Sequence, residues 1–242
     1  MSNGSGAGCT KWSAIGFGIQ EFRVAGDPGK SMGNSNRYKI TFIAPTCFYY
    51  QAPLFRELSS DPNLDLTAYF CSDEGVSGKD VETVYGTDQN WGVDIDLLEG
   101  YKSKFFRNYS PWGSYLKSLV GLTNFGVWND LKRERPDAVV VMSWMNPTWW
   151  LTFLACLRFQ IPMFYMTDAN FDAEQLKSRW RTSIKRFFLG KFLFPAASGF
   201  LCAGTTNRRL YTAYGVPDEK LISFAYSGGY TQWIEQSKQY IG

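Results

Sequence analysis

Residues 137–170, DAVVVMSWMNPTWWLTFLACLRFQIPMFYMTDAN, decide the fold. DAVVVMS is continuously apolar from Ala138 to Met142, the pattern of a strand buried on both faces. PTWWLTFLACLRFQ follows as a helix with Pro147 in its first turn, where a missing N–H costs little. IPMFYMT is then a second apolar strand. Uninterrupted apolar strands separated by helices indicate a parallel sheet covered on both faces, and right-handed crossovers make it doubly wound. Ligands in such an α/β architecture gather at the carboxyl ends of the strands. Both strands here end in polar groups: Ser143, Trp144 and Asn146 after the first, Thr167, Asp168 and Asn170 after the second.

The alternation extends in both directions. Upstream, YKITFIAP (38–45) reads as a strand, followed by an aromatic loop and a helix around APLFRELSS (52–60). LDLTAYFC (64–71) is a strand and KSKFFRN is strand-like. NFGVWNDLKRERP is a helix that stops before Pro136, because the residue ahead of a proline resists the α region. Downstream, a basic helix is expected over about 174–190, a strand at SGFLCAG, a helix over TTNRRLYTAYG ending at Gly215, and a last strand at KLISFAY. The expected organisation is one Rossmann-like domain over 38–226 with helices on both faces of a parallel sheet. A Gly-, Ser- and Asn-rich flexible tail precedes it over 1–37, and 227–242 is a linker or the start of a second domain. Within the tail, AGDPGKS approaches a phosphate loop, but the first required Gly falls on Val24 and the turn-like MGNSNRY replaces the helix. The match is one of chance.

Composition narrows the chemistry. The chain has 242 residues, 45% of them hydrophobic and 17% aromatic, enough for a sizeable core. A net charge of +3 is too small to argue for nucleic acid as a partner. Its distribution says more: between Gln175 and Pro217 there are eight Lys or Arg and no acid. The segment 176–194, LKSRWRTSIKRFFLGKFLF, mixes Lys177, Arg179, Arg181, Lys185 and Arg186 with Trp180, Phe187, Phe188 and Phe192. Either its aromatic side packs on the sheet and its basic side is solvated, or it is an interfacial helix for anionic membrane. There is no histidine, which removes His-based zinc sites, Ser-His-Asp triads and Cys-His dyads. The five cysteines (9, 47, 71, 156 and 202) are odd in number and lack a CxxC pair, so they read as thiols in a reducing compartment. No apolar run reaches the roughly 18–20 residues of a membrane span, and the N-terminus lacks the order of a signal peptide. The expected location is cytoplasmic, with peripheral contact at the inner face of a membrane.

The strand-end loops carry the candidate site. Tyr49, Tyr50 and Gln51 follow the first strand, Ser143, Trp144 and Asn146 the central one, and Asp168 and Asn170 the next. Aromatic rings facing amides, hydroxyls and a carboxylate suit a carbohydrate, whose C–H face stacks while its hydroxyls pair with the polar groups. Trp144 is either such a platform or core; Trp149 and Trp150, on the helix, are core. Asp168 is either the cap of a short turn or a catalytic group. No Gly-rich dinucleotide fingerprint follows the first strand. CAGTTNRRLY leads into a helix start that favours an anion, with Thr205 and Arg208 as the phosphate contacts. The plainer reading is helix capping by Thr205 or Thr206.

Taken in order, YQAPLFREL, WGVDIDLLEGY, LKRERPDAVVVMSWMNPTWWL, IPMFYMTDAN and FLCAGTTNRRLYTAYGVPDEKLISFAYS resemble the N-terminal half of GT-B glycosyltransferases of the retaining, nucleotide-sugar-dependent group. The resemblance covers roughly residues 38–233. It implies half of a GT-B fold: an acceptor-side domain that faces a donor domain holding the nucleotide-sugar through basic residues and spaced glutamates. It also implies transfer with retention, no metal, and no cofactor beyond the nucleotide-sugar as co-substrate. On this resemblance Tyr50 and Gln51 line the acceptor side, and Asp168 and Asn170 face the reacting sugar. Met142 stands where many members have histidine, followed by Ser143 and Trp144. The sequence stops at Gly242, about where the donor half is expected to begin, so the expectation is a truncated enzyme or one chain of a split one. The rival expectation is a non-catalytic module that binds a glycan or a partner glycosyltransferase.

Overall fold

The computed structural model describes residues 37–48, 50–74, 76, 97–111, 120–176 and 178–224. The expected tail up to residue 36, Tyr49 and the expected linker 227–242 lie outside the described residues. The elements in chain order are β1 (Tyr38–Ala44), α1 (Ala52–Ser60), β2 (Leu64–Phe70), β3 (Lys102–Phe105), α2 (Gly126–Glu134), β4 (Ala138–Val141), α3 (Pro147–Phe159) and β5 (Met163–Met166). They continue with α4 (Phe171–Gln175), α5 (Arg179–Phe188), a π-helical turn (Leu189–Leu193), α6 (Phe194–Ala196), β6 (Gly199–Cys202), α7 (Thr205–Ala213), a 3-10 turn (Asp218–Lys220) and β7 (Leu221–Ser223). Seven strands form one sheet in the order β3-β2-β1-β4-β5-β6-β7, and every neighbouring pair is parallel.

The register aligns the strands so that one row crosses the whole sheet. Lys104, Tyr69, Ile43, Val141, Tyr165, Phe200 and Leu221 are successive partners. From Tyr69 to Leu221 that row belongs to one core, packed under α2, α3, α6 and α7 by Val127, Leu131, Trp149, Phe153, Phe194, Leu210 and Tyr211. The alternate positions, among them Phe42, Ala44, Phe70, Val140, Met166 and Leu201, face a second core with Leu54 and Phe55 of α1. A period of two therefore sends consecutive residues of each apolar strand into two different cores. This is why the strands read as unbroken apolar runs, and why the doubly wound parallel sheet was legible in them.

Helix ends follow the local chemistry. Pro147 sits in the first turn of α3. α2 stops at Glu134; Arg135 turns left-handed (φ 45°), and its guanidinium donates to the Phe159 carbonyl at 3.0 Å while lying 4.8 Å from the Phe159 ring. Gly215, with φ +83°, supplies the left-handed turn after α7.

The expected single basic helix over 174–190 is two elements. α4 begins at Phe171 because the Asn170 side chain accepts from the Ala173 N–H at 2.8 Å, and it ends at Gln175. The chain re-enters a helix at Arg179 after an extended Ser178 (ψ 127°). The described cysteines, Cys47, Cys71, Cys156 and Cys202, are all buried thiols, and Cys9 lies outside the described residues. Burial pushes Cys156 up to about 12 and Cys202 up to about 11, and holds Cys71 well above its ordinary value. No helix among the described residues is long and apolar enough to cross a membrane.

Candidate functional site

The chain lays β1, β2 and β3 outward in one direction, then returns to the other side of β1 with β4. The reversal makes the carboxyl ends of β1 and β4 the switch point, where adjacent loops diverge and leave a crevice. The loops there are 45–51 after β1 and 142–146 after β4, with 167–170 one strand further on. Strand spacing of about 4.8 Å puts the ends of β1 and β5 roughly 10 Å apart on the same sheet edge. Gln51 and Asp168 therefore share that edge.

Gln51 opens α1: its N–H donates to the Phe48 carbonyl and its carbonyl accepts from the Phe55 N–H, both at 3.0 Å. Gln51 is 2% exposed, and its Oε1 meets no hydrogen-bond donor among the described residues. A buried acceptor left unpaired costs about 1–3 kcal/mol. Such a cost is retained where a group serves something other than stability. Gln51→Met, close in shape and lacking the amide, is expected to stabilise the domain by about 1 kcal/mol in urea unfolding. A clear loss of stability instead would show that the amide is satisfied. Beside it, Tyr50 is half-buried and its ring stacks on Phe48 at 5.3 Å.

On the β4 side, Ser143 is half-buried, and its Oγ accepts weakly from the Met145 N–H at 3.4 Å. Asn146 is buried at the start of α3, where its carbonyl accepts from the Trp149 N–H at 3.1 Å. Trp144 is only 8% exposed. Its ring packs against Tyr165, Phe194 and Tyr211, at 6.4, 5.9 and 6.5 Å between centroids. Of the two readings of this tryptophan, the structure gives core. Trp149 is core as well, at 1% exposed.

On the β5 side, Asp168 is exposed at the loop crest. The capping role read for it falls instead to Asn170, two residues later. That leaves Asp168 as the carboxylate presented at this part of the edge, with Asn170 committed to its helix.

Two buried asparagines fix these loops. Asn207, in the first turn of α7, donates to the Thr167 carbonyl at 3.1 Å and the Ala169 carbonyl at 2.5 Å, and accepts from the Ala203 N–H at 3.2 Å. It thereby staples the loop bearing Asp168 to the turn after β6, and a Thr167–Tyr211 hydroxyl contact at 2.9 Å closes the same corner. Asn124, ahead of α2, donates to the carbonyls of Cys71 (2.9 Å) and Arg107 (3.1 Å) and accepts from the Thr148 hydroxyl at 2.8 Å. It ties the ends of β2 and β3 to the start of α3. Neither asparagine was legible as functional in the sequence, because the carbonyls they hold lie as far as 40 (Asn207) and 53 (Asn124) positions away.

The α7 start differs from the sequence reading. Its cap position is Gly204, without a side-chain cap, and Thr205 is already the first helical residue, so neither Thr205 nor Thr206 caps the helix. Arg208 donates to the Leu221 carbonyl at 3.1 Å and to Asp218 at 3.2 Å, so its guanidinium is held against β7 and the 3-10 turn. Nearby, the Lys185 amine meets both oxygens of buried Glu174 at 2.8 and 2.9 Å, and the Tyr214 hydroxyl donates to the same carboxylate at 2.7 Å. Burial and that carboxylate hold the Tyr214 phenol well above its ordinary range.

No protein-family model matches the chain, and no curated protein matches it by sequence. Solved structures with a similar fold include UDP-N-acetylglucosamine 2-epimerase from Rickettsia bellii, at 18% identity and a TM-score of 0.46, over 79% of this chain and 46% of that one. UDP-GlcNAc 2-epimerase from Neisseria meningitidis, bound to UDP-GlcNAc, aligns at 16% identity and a TM-score of 0.48, over 76% of this chain and 46% of that one. This chain thus spans about half the length of the structures it matches. Those structures are sugar-nucleotide enzymes; for this chain the fold class rests on its own strand order.

Proposed function

We propose that this domain is the acceptor-side half of a nucleotide-sugar-dependent glycosyltransferase, its donor-binding half supplied by a further domain or a second chain. The observation that carries the reading is the switch point. Loops at the ends of β1, β4 and β5 carry a buried amide (Gln51) whose oxygen meets no donor among the described residues, a half-buried hydroxyl (Ser143) and an exposed carboxylate (Asp168) at one sheet edge. Amide, hydroxyl and carboxylate are the groups that pair with sugar hydroxyls. The reaction forms a bond from the acceptor oxygen to the anomeric carbon and breaks the bond from that carbon to the nucleotide phosphate. The phosphate leaves with the electron pair, and the hydroxyl proton passes to the leaving phosphate or to Asp168. The GT-B resemblance of the sequence supports the same assignment.

Stabilising the departing phosphates requires preorganised donors and cations. Among the described residues, the α7 start offers backbone N–H groups with the Thr205 and Thr206 hydroxyls, while Arg208 is engaged with Leu221 and Asp218. The chain by itself is therefore expected to release no nucleotide in an acceptor-dependent manner from any nucleotide sugar. In ligand-observed NMR against a panel of glycosides, it is expected to bind at least one weakly, and Asp168→Ala and Ser143→Ala to weaken that binding about tenfold. Acceptor-dependent turnover by this chain alone, or glycoside binding indifferent to both substitutions, would overturn the assignment.

A further inference from the structure

Helix α5 is amphipathic with its apolar side outward. Its inner side places Lys185 against Glu174 and 5.1 Å over the Trp144 ring. Its outer side carries Trp180, Ile184, Phe187 and Phe188, and the π turn adds Phe192; all five are between 50% and 63% exposed. At 100° per residue the four helical positions fall within an arc of roughly 100°. The three phenylalanine rings touch, with centroids 5.6, 6.1 and 6.2 Å apart, so the surface is continuous. A helix in a water-soluble domain turns such a stripe inward, and a continuous exposed apolar patch marks a surface that something covers.

Charge selects the covering surface. Lys191 is exposed in the π turn next to Phe192, and no acid occurs between Gln175 and Pro217. A second copy of this chain on the same ridge would set like charges against each other. An anionic bilayer meets both demands, taking aromatic rings at the headgroup boundary and cations on lipid phosphates.

We propose that α5 and the π turn dock this protein on an anionic lipid surface, with the Trp180–Phe192 ridge at the headgroup boundary and Lys191 on the phosphates. The Glu174–Lys185 pair joins α5 to α4, which follows directly on the loop of Asp168, so docking holds the candidate site close to the membrane. The proposal is independent of the reaction assigned above.

Co-sedimentation of the full chain with phosphatidylcholine vesicles, and with vesicles enriched in phosphatidylglycerol, tests it. Binding to the anionic vesicles is expected to be about tenfold tighter or more, and to weaken as salt rises. Phe187→Ser with Phe188→Ser is expected to lower the affinity about tenfold or more with the circular dichroism unchanged. Lys191→Glu is expected to weaken the preference for anionic lipid. Three results would overturn the proposal: no binding or equal binding to the two vesicle types, binding unchanged by the phenylalanine substitutions, or a lipid-free dimer in sedimentation velocity that those substitutions dissociate.

Discussion

Trp144→Ala is expected to lower the unfolding free energy by about 3–5 kcal/mol, the range for deleting a large aromatic side chain from a packed core. The ring lies in the layer where Tyr165, Phe194 and Tyr211 meet, and Phe194 in turn contacts Phe200 at 5.0 Å and Tyr214 at 5.7 Å. Removing the indole therefore opens a hole bounded by side chains that are themselves fully packed, which limits collapse. It also uncovers the Lys185 amine, which stands over the ring at 5.1 Å and holds Glu174. Trp144→Phe keeps the apolar face and part of the volume, and is expected to cost roughly half as much. Urea unfolding of the two variants measures both. A loss under about 1 kcal/mol for the alanine variant would place the ring outside the core.

Asn207→Ala and Asn124→Ala are each expected to destabilise the domain by about 2–4 kcal/mol, since each strands several buried backbone groups at once. Loss of Asn207 leaves the Thr167 and Ala169 carbonyls and the Ala203 N–H without that partner. Loss of Asn124 does the same to the carbonyls of Cys71 and Arg107 and to the Thr148 hydroxyl. The two clamps serve opposite halves of the sheet edge and share no partner, so the double variant is expected to show additive losses. Hydrogen exchange separates them: Asn207→Ala is expected to speed exchange across residues 167–170, and Asn124→Ala around 106–108. Asn207→Asp makes a sharper test. A carboxylate facing two carbonyls is held in its protonated form, so its folded pKa is raised. That variant is expected to be relatively more stable at acid pH and to lose stability as pH rises through its folded value.

The strands were legible because burial on both faces leaves a run with no polar alternation, as at Val139–Val141 and Met163–Met166. The α3 start was legible because Pro147 marks a first turn, and the α2 stop because Pro136 forbids continuation. The break between α4 and α5 was not. The aromatic residues of α5 have helical spacing whether they face the sheet or the solvent, and periodicity carries no sign of direction. The same ambiguity kept Trp144 open: a tryptophan at a strand end is equally at home under a helix or against a sugar. The clamps were invisible for another reason. Asn124 and Asn207 meet backbone carbonyls, which every sequence has at every position, so only the fold identifies them. Asp168 stood out as a carboxylate, yet the local rule that explains asparagine or aspartate before a short helix applied two residues later, at Asn170.

The four buried thiols among the described residues make this domain a recorder of its own opening. Cys71, Cys156 and Cys202, the last at the end of β6, lie in one core, and Cys47 lies in the other. A thiol reacts as its thiolate, and in the closed fold that form is suppressed, with Cys156 at about 12 and Cys202 at about 11. An alkylating reagent therefore marks each sulfur only during the intervals when its neighbourhood is apart, and mass spectrometry of the tagged peptides dates those intervals region by region. The side chains that give the sheet its packing thus also supply a time-stamp for the order in which its two halves come open.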